Sequence, residues 1–216
     1  MKKTKKYGIG EYIARFGIKN LVVAICGKIT QNYEINCDNP LQGGTNDKMV
    51  LINWDDWQDA VVTADIDNPQ LIESIDLPSG VTGYLVEGKN NSINPKSEMV
   101  KQRFAELFKH SIDYLVFKID AGTKDDLEKK VQGRFVAITW NRYKGDNGET
   151  SFEIYGKDAG MVLQVFTRDT NATDNQGAWV LQLATDEFSL EPHLPASLFD
   201  TDYTTTKAIF DSLYVA

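Results

Sequence analysis

The sequence predicts a mainly β (α+β) protein, a β-sandwich or partly closed barrel with one flanking helix. Short apolar segments, about nine or ten of them, recur along the chain and are separated by turns rich in Gly, Pro, Asn and Asp. One longer segment, residues 95–109, has the apolar spacing of a helix that faces a core. With 42% hydrophobic residues, the 216-residue chain can bury a core without disulfides or metals.

The predicted strands are separated by segments rich in turn-forming residues. The longest such segment before the helix is the loop 38–47, and a loop of this length in a compact domain commonly carries function. The aromatic stretch 54–57 is predicted to be a turn. The predicted strands cover residues 21–26, 49–53, several short stretches within 58–88, and then 112–119, 135–140, 150–155, 161–168 and 179–184.

The predicted flanking helix covers residues 95–109. Asn94 suits its N-cap and Pro95 its first helical position, and four apolar residues further on share one face. If Phe104 is buried on that face, Phe104→Ala should lower the free energy of unfolding by about 3–5 kcal/mol. A shorter helix is predicted from a Thr123 cap to a Gly133 stop, and a terminal helix at residues 204–214.

These elements predict three regions along the chain. Residues 1–20, basic and rich in Gly, form an N-terminal arm that lacks the apolar stretch of a secretion signal. Residues 21–185 form a single β-sandwich domain with the helix at about 95–109. Residues 186–216 form a C-terminal extension that ends in the terminal helix.

Charge and cysteine content exclude several classes of protein. The net charge of −8 and pI near 4.8 oppose free binding to nucleic acid or to an anionic membrane. No apolar run approaches the length of a membrane-spanning helix. Two cysteines, Cys26 and Cys37, are too few for a disulfide framework or a zinc site and are expected to be reduced and packed.

No residue set in the sequence predicts catalysis, so we expect the protein not to be an enzyme. His110 is expected to end the predicted helix and to favour its carbonyl terminus, and His193 is expected to be a contact residue in an extended tail. No serine lies in a nucleophile elbow. The adjacent carboxylates are expected to be solvated surface groups: Asp55/Asp56, Asp125/Asp126 and Asp186/Glu187.

The sequence also predicts no metal and no cofactor. Residues 169–177 resemble a calcium loop in composition, but Asp174 stands where the loop requires Gly and Val180 where it requires Glu. The glycine-rich stretches 8–10 and 43–45 lack the further residues of a phosphate-binding loop. Trp54 and Trp57 could form an aromatic contact surface, although two tryptophans at this spacing more often pack on a core.

Several segments together resemble structural proteins from the morphogenesis modules of phages and prophages of gut bacteria, including crAss-like phages. The likeness covers residues 20–215 loosely, and none of its motifs is catalytic. The order of strand, helix and strand also resembles the tail-tube fold. The segments that carry the resemblance are residues 53–57, 83–88 with 95–96, 131–138, 152–156, 175–178 and 191–195.

The resemblance implies a self-assembling subunit of a virion tail tube, tail hub or connector layer. Such subunits join their sheets edge to edge in a ring, usually sixfold, through which DNA passes without specific binding. The protein would reside in the virion, after assembly in the host cytoplasm beside neighbouring tail or connector proteins. The loop 38–47 would contact the next ring through Asn39, Pro40, Leu41, Gly43, Gly44, Thr45 and Asn46.

Two other functions remain open from the sequence. A capsid auxiliary or decoration protein would bind a capsid lattice and need no channel. A carbohydrate-binding or receptor-binding module would use Trp54, Trp57 and nearby tyrosines. Loss of glycan binding in Trp54→Ala would favour the second alternative.

Overall fold

The computed structural model describes residue 29 and residues 31–215. The chain divides into two units, residues 1–36 and 37–216, and the helices and strands described below belong to the second. The predicted basic arm, the predicted strand 21–26 and Cys26 lie outside the described residues.

Eleven strands and three helices form the second unit in the described part of the chain. The strands are β1 (Thr45–Asn53), β2 (Val61–Ala64), β3 (Leu71–Asp76), β4 (Tyr84–Glu87), β5 (Ile93–Lys101), β6 (Glu106–Val116), β7 (Arg134–Asn141), β8 (Phe152–Tyr155), β9 (Met161–Arg168), β10 (Trp179–Ala184) and β11 (Ala196–Leu198). The helices are α1 (Trp54–Gln58), α2 (Ala121–Lys130) and α3 (Tyr203–Ser212).

All eleven strands belong to one mixed sheet. Nine follow the order β2-β3-β11-β8-β7-β9-β10-β6-β5, while β1 pairs with β7 and also with β4. The pairings are antiparallel except that of β11 with β3. The prediction of a mainly β protein is confirmed.

Strands β1 and β7 are buried on both faces, and the sheet therefore has a core on each side of them. Alternate residues point to opposite faces: Met49 and Leu51 face one core, and Val50 and Ile52 face the other. The first core is completed by β4, β5, β6, β9, β10 and α2, and the second by α1, β3, β8, β11 and α3.

The prediction of a helix at 95–109 is wrong. Strands β5 and β6 form an antiparallel hairpin there, in register from Ile93 opposite Tyr114 to Lys101 opposite Glu106. The N–H of Gln102 donates to the carbonyl of Ala105 at 2.8 Å across the turn. Asn94 is therefore a strand residue and caps no helix.

The helical spacing of apolar residues in this segment was misleading because most of them are not buried. Phe104 is 89% exposed at the turn, and the residues that β6 buries, His110, Ile112 and Tyr114, follow a period of two. Pro95 fits because β5 ends the sheet, and proline in sheets is confined largely to such edge strands.

The two other helix predictions are confirmed with shifted ends. Asp120, not Thr123, caps α2: its carboxylate accepts the Thr123 N–H at 2.9 Å. Asp202 caps α3 in the same way, accepting the Thr205 N–H at 2.8 Å. The aromatic turn predicted at 54–57 is the single-turn helix α1. No helix in the described part of the chain has the length and apolarity needed to cross a membrane.

Residues 186–216 are not an extension of the domain, as far as the structure describes them. Strand β11 pairs with β3 on one side and β8 on the other. In α3, Phe210 is fully buried and stacks on Phe152 at 4.7 Å between ring centroids. The segment is therefore part of the second core, and the boundary predicted at residue 185 does not separate it from the domain.

Candidate assembly surface

The β5–β6 hairpin has a buried base and an exposed end. Ile93, Ile112 and Tyr114 are almost fully buried at the base. From Lys96 to Met99, every residue of β5 is exposed, although successive side chains point to opposite faces. The distal half of β5 is therefore covered on neither face by the rest of the described chain.

Large apolar side chains lie at the exposed end of this hairpin. Met99 is 57% exposed and Phe104 is 89% exposed. The guanidinium of Arg103 lies 5.0 Å from the Phe104 ring centroid, so the turn presents an aromatic ring with a cation over it. An apolar and cationic tip of this kind is chemically suited to contact another protein surface.

The outer edge of β5 carries backbone groups directed away from β6. Phe108 exchanges two backbone hydrogen bonds with Glu191, at 2.8 and 2.9 Å, on the side of β6 opposite β5. A residue in an antiparallel ladder directs its N–H and C=O to the same side. Met99, the β5 partner of Phe108, therefore directs its own N–H and C=O outwards.

The same reasoning applies two residues earlier. The carbonyl of His110 accepts the Thr185 N–H at 2.9 Å, again away from β5, so its partner Ser97 faces the outer edge. Pro95 belongs to this outward series, which explains how β5 tolerates a residue without an N–H. In the described part of the chain, β6 is the only strand that pairs with β5.

The hairpin base is fixed by a buried histidine. His110 is 1% exposed in β6, so the prediction that it ends a helix is wrong. Its Nδ1 accepts the Gly156 N–H at 3.2 Å, and the Nε2–H therefore donates to the His193 carbonyl at 3.0 Å. Burial lowers the pKa of His110 to about 4, against the smaller opposing effects of the His193 carbonyl and Asp158.

Glu191 joins the same region of the molecule. Its buried carboxylate accepts the N–H of Asp158 at 3.0 Å and that of Ala159 at 2.8 Å. Burial raises the pKa of Glu191, and these two hydrogen bonds oppose the shift. Since His110 and Glu191 are both buried and bonded to backbone, their arrangement fixes the segment after β10 to the hairpin.

The loop predicted to make ring contacts is partly held inside the domain. Thr45 is 3% exposed, and its hydroxyl donates to the Ile93 carbonyl at 2.7 Å at the base of the hairpin. The Asn46 side chain donates to the Asn141 carbonyl at 2.9 Å. Thr45 is therefore buried in the domain, whereas Asn46 is half-buried.

The other predicted contact residues lie closer to solvent. Asn39 donates its side-chain N–H groups to the Gly145 carbonyl at 3.0 Å and to Asp146 at 2.9 Å, which tethers the loop. Leu41 is 82% exposed. Pro40, Gly43 and Gly44 are also exposed.

The loop and the hairpin base share a cleft of about 630 Å³. Leu41, Gly44 and Thr45 contribute to one side, and Ile93 and Pro95 to another. The structure thus places the exposed part of the predicted contact loop beside the hairpin that the sequence assigned to a helix.

The two tryptophans singled out in the sequence have different environments. Trp57 is 5% exposed, and its indole N–H donates to the Lys157 carbonyl at 3.0 Å, so it cannot be an aromatic contact. Trp54 is half-buried and lines a cleft of about 540 Å³ with Tyr84, which is 53% exposed. The Arg134 guanidinium lies 5.9 Å from the Trp54 ring centroid.

The calcium-like stretch is a turn held by its own hydrogen bonds. Asp169 accepts the Asn171 N–H at 2.9 Å, and Asn175 accepts the Gly177 N–H at 3.0 Å. Gly177 has a φ of +68°, which favours glycine. Among the described residues, no group of three or more His, Cys, Asp and Glu could hold a metal ion. Cys37 is exposed, contrary to the expectation of a packed thiol.

No protein-family model, curated protein or solved structure matches this chain. The surface described above was missed in the sequence because the apolar residues of 95–109 were fitted to a helical period. One signal could have identified it: Pro95, followed by the polar residues Lys96, Ser97 and Glu98, is as compatible with an edge strand as with a helix start.

Proposed function

We propose that this protein is a passive structural subunit of a bacteriophage particle, a ring- or tube-forming component of the tail, tail hub or connector. The observation that carries the proposal is the β5–β6 hairpin, with an exposed apolar tip and an outer edge with which no described strand pairs. An uncovered strand edge promotes pairing with another chain, and closure into a ring removes such edges.

Other features support assembly over catalysis. The buried titratable groups His110 and Glu191 hydrogen-bond to backbone atoms of the same domain. The exposed Leu41 lies beside the hairpin base, where it enlarges the apolar surface available to a neighbouring subunit. The net charge of −8 repels a passing polyanion, which suits a channel wall that must not retain DNA.

The test is the mass and shape of the purified chain, measured by light scattering and negative-stain microscopy. We expect rings, or stacked rings, with an open centre. Replacing Arg103 and Phe104 with Asn-Gly removes the exposed ring and keeps the turn closed by the Gln102–Ala105 hydrogen bond, and it should reduce assembly while the domain stays folded. A strict monomer, a closed dimer or a solid aggregate would contradict the proposal.

A second candidate is a saccharide-binding module, and the cleft at Trp54 is the observation that favours it. Trp54 and Tyr84 provide aromatic surface, and Asn53, Gln132 and Arg134 provide planar polar groups of the kind that bind hydroxyls. Binding to a glycan array that Trp54→Ala abolishes would support this function. The control is Phe188→Ala, which removes an aromatic residue that is 94% exposed and does not line the cleft.

A further inference from the structure

The nine-strand path of the sheet ends in two different strands. Its terminal strands are β5 and β2, and in the described residues each has a pairing partner on one side only. Both carry exposed apolar side chains, Met99 at 57% and Val61 at 65%. The domain therefore offers two separate edges to which a strand could be added.

The two edges differ in charge. Residues 49–88 contain eight acidic residues and no Lys or Arg, and five of the eight lie at 59–76, in or beside β2 and β3. The other 23 acidic residues equal the 23 Lys and Arg in number, so this segment accounts for the entire net charge of −8. Asp59 and Asp67, which flank β2, are exposed.

The distal hairpin has the opposite charge. Residues 96–109 contain four basic residues and two acidic ones. Lys101 and Arg103 are exposed near the turn, and neither forms an ion pair within the described part of the chain. One end of the sheet is thus basic and the other acidic, which lets unlike ends attract and like ends repel.

We infer that copies of this chain join head to tail, the outer edge of β5 in one copy pairing with the outer edge of β2 in the next. Ser97 and Met99 supply the outward N–H and C=O groups of the β5 side. Because the contact joins two different surfaces, each copy keeps one free edge after pairing, and growth ends only when a ring closes. The inference deepens the proposed function, since it names the two surfaces that meet.

Ser97→Pro tests the backbone pairing without breaking the hairpin. The substitution removes an outward N–H and repeats, two residues further on, the placement of Pro95 in the same strand. We expect self-association to weaken by about tenfold or more, while the circular dichroism spectrum and unfolding curve stay near those of the control Ser97→Ala. Unchanged association in a folded Ser97→Pro variant would overturn the inference.

A mixing experiment tests the charge pairing. The variant Lys101→Glu/Arg103→Glu places two carboxylates at the end of β5, and Asp59→Lys/Asp67→Lys places two ammonium groups beside β2. Each variant alone should associate about tenfold more weakly than the native chain, and an equimolar mixture should regain association by alternating the two copies. Failure of the mixture to exceed the separate variants would overturn the charge pairing.

These outcomes separate the inference from the proposed function. Rings that Ser97→Pro leaves intact would preserve the function and overturn the edge pairing. If the native chain forms filaments without a channel and Ser97→Pro abolishes these filaments, the edge pairing is supported and the proposed function is overturned. A native chain that stays monomeric at millimolar concentration would overturn both.

Discussion

At the scale of single residues, buried polar groups show how this fold fixes its irregular parts. His110 connects β6, the turn at Gly156 and the chain at His193, and each connection uses a backbone atom. The ring must be neutral to accept the Gly156 N–H, which is consistent with its lowered pKa. Tyr114, by contrast, is 1% exposed, and its hydroxyl has no hydrogen-bond partner among the described residues.

His110 should make stability depend on pH. Its pKa is about 4 in the folded protein and ordinarily 6.5, so between these values the unfolded chain binds more protons. The free energy of unfolding should therefore fall as pH decreases from about 6.5 to 4, by up to roughly 3 kcal/mol. The raised pKa of Glu191 acts in the opposite direction and reduces the total effect.

Urea unfolding of His110→Gln and the native chain at several pH values measures this contribution. The variant should be less stable at pH 7, because it loses hydrogen bonds, and its curve should lack the fall between pH 6.5 and 4 that the native chain shows. Parallel pH curves for the two proteins would contradict the prediction.

Tyr114→Phe should stabilise the protein by about 1 kcal/mol, because it removes a buried hydroxyl that has no described partner. The matched control is Tyr155→Phe, since the Tyr155 hydroxyl donates to Glu153 at 2.8 Å. The free energy of unfolding of that variant should be about 1 kcal/mol lower than that of the native chain. Chemical unfolding at neutral pH compares the two, and a destabilised Tyr114→Phe would show that the hydroxyl has a partner after all.

At the scale of elements, the β5–β6 hairpin combines a buried base with an end that contributes little to the domain. Its buried residues alternate along β6, and its end has neither face covered by described chain. The residues at the tip of such a hairpin can be replaced without a change in its fold. Stability should therefore depend on the base, and assembly on the end.

Phe104→Ala should change the free energy of unfolding by less than about 0.5 kcal/mol, because the side chain is 89% exposed. This replaces the loss of 3–5 kcal/mol expected for a buried helix face. Ile112→Ala, at a fully buried position of the same hairpin, should cost about 2–5 kcal/mol. Thermal or urea unfolding distinguishes the two, and a large loss in Phe104→Ala would restore the helical prediction.

At the scale of the whole molecule, the two cores are joined through β1 and β7, and the end of the chain completes the second. Helix α3 contributes Phe210 to that core, Leu213 follows the helix, and strand β11 contributes Ala196 and Leu198. The second core therefore cannot form without residues 196–213. This explains why the boundary predicted at residue 185 does not separate two parts.

Deletion of residues 195–216 should unfold the second core. Phe210→Ala should lower the free energy of unfolding by about 3–5 kcal/mol. Lys207→Ala on the same helix is the control. Its ammonium pairs with Asp211 and is partly exposed, so its loss should cost less than about 1 kcal/mol. A truncated chain with native circular dichroism and an unchanged unfolding midpoint would show that the tail is dispensable.

The sequence by itself determined the β class, the approximate positions of most strands after residue 48 and the two short helices that Asp120 and Asp202 cap. These depend on alternation, turn residues and capping, which act within a few residues. It favoured a helix over a strand at 95–109, because the apolar residues there follow a helical period. Only the tertiary structure decided that choice, since pairing with β6 and burial of His110 depend on segments up to 83 residues away.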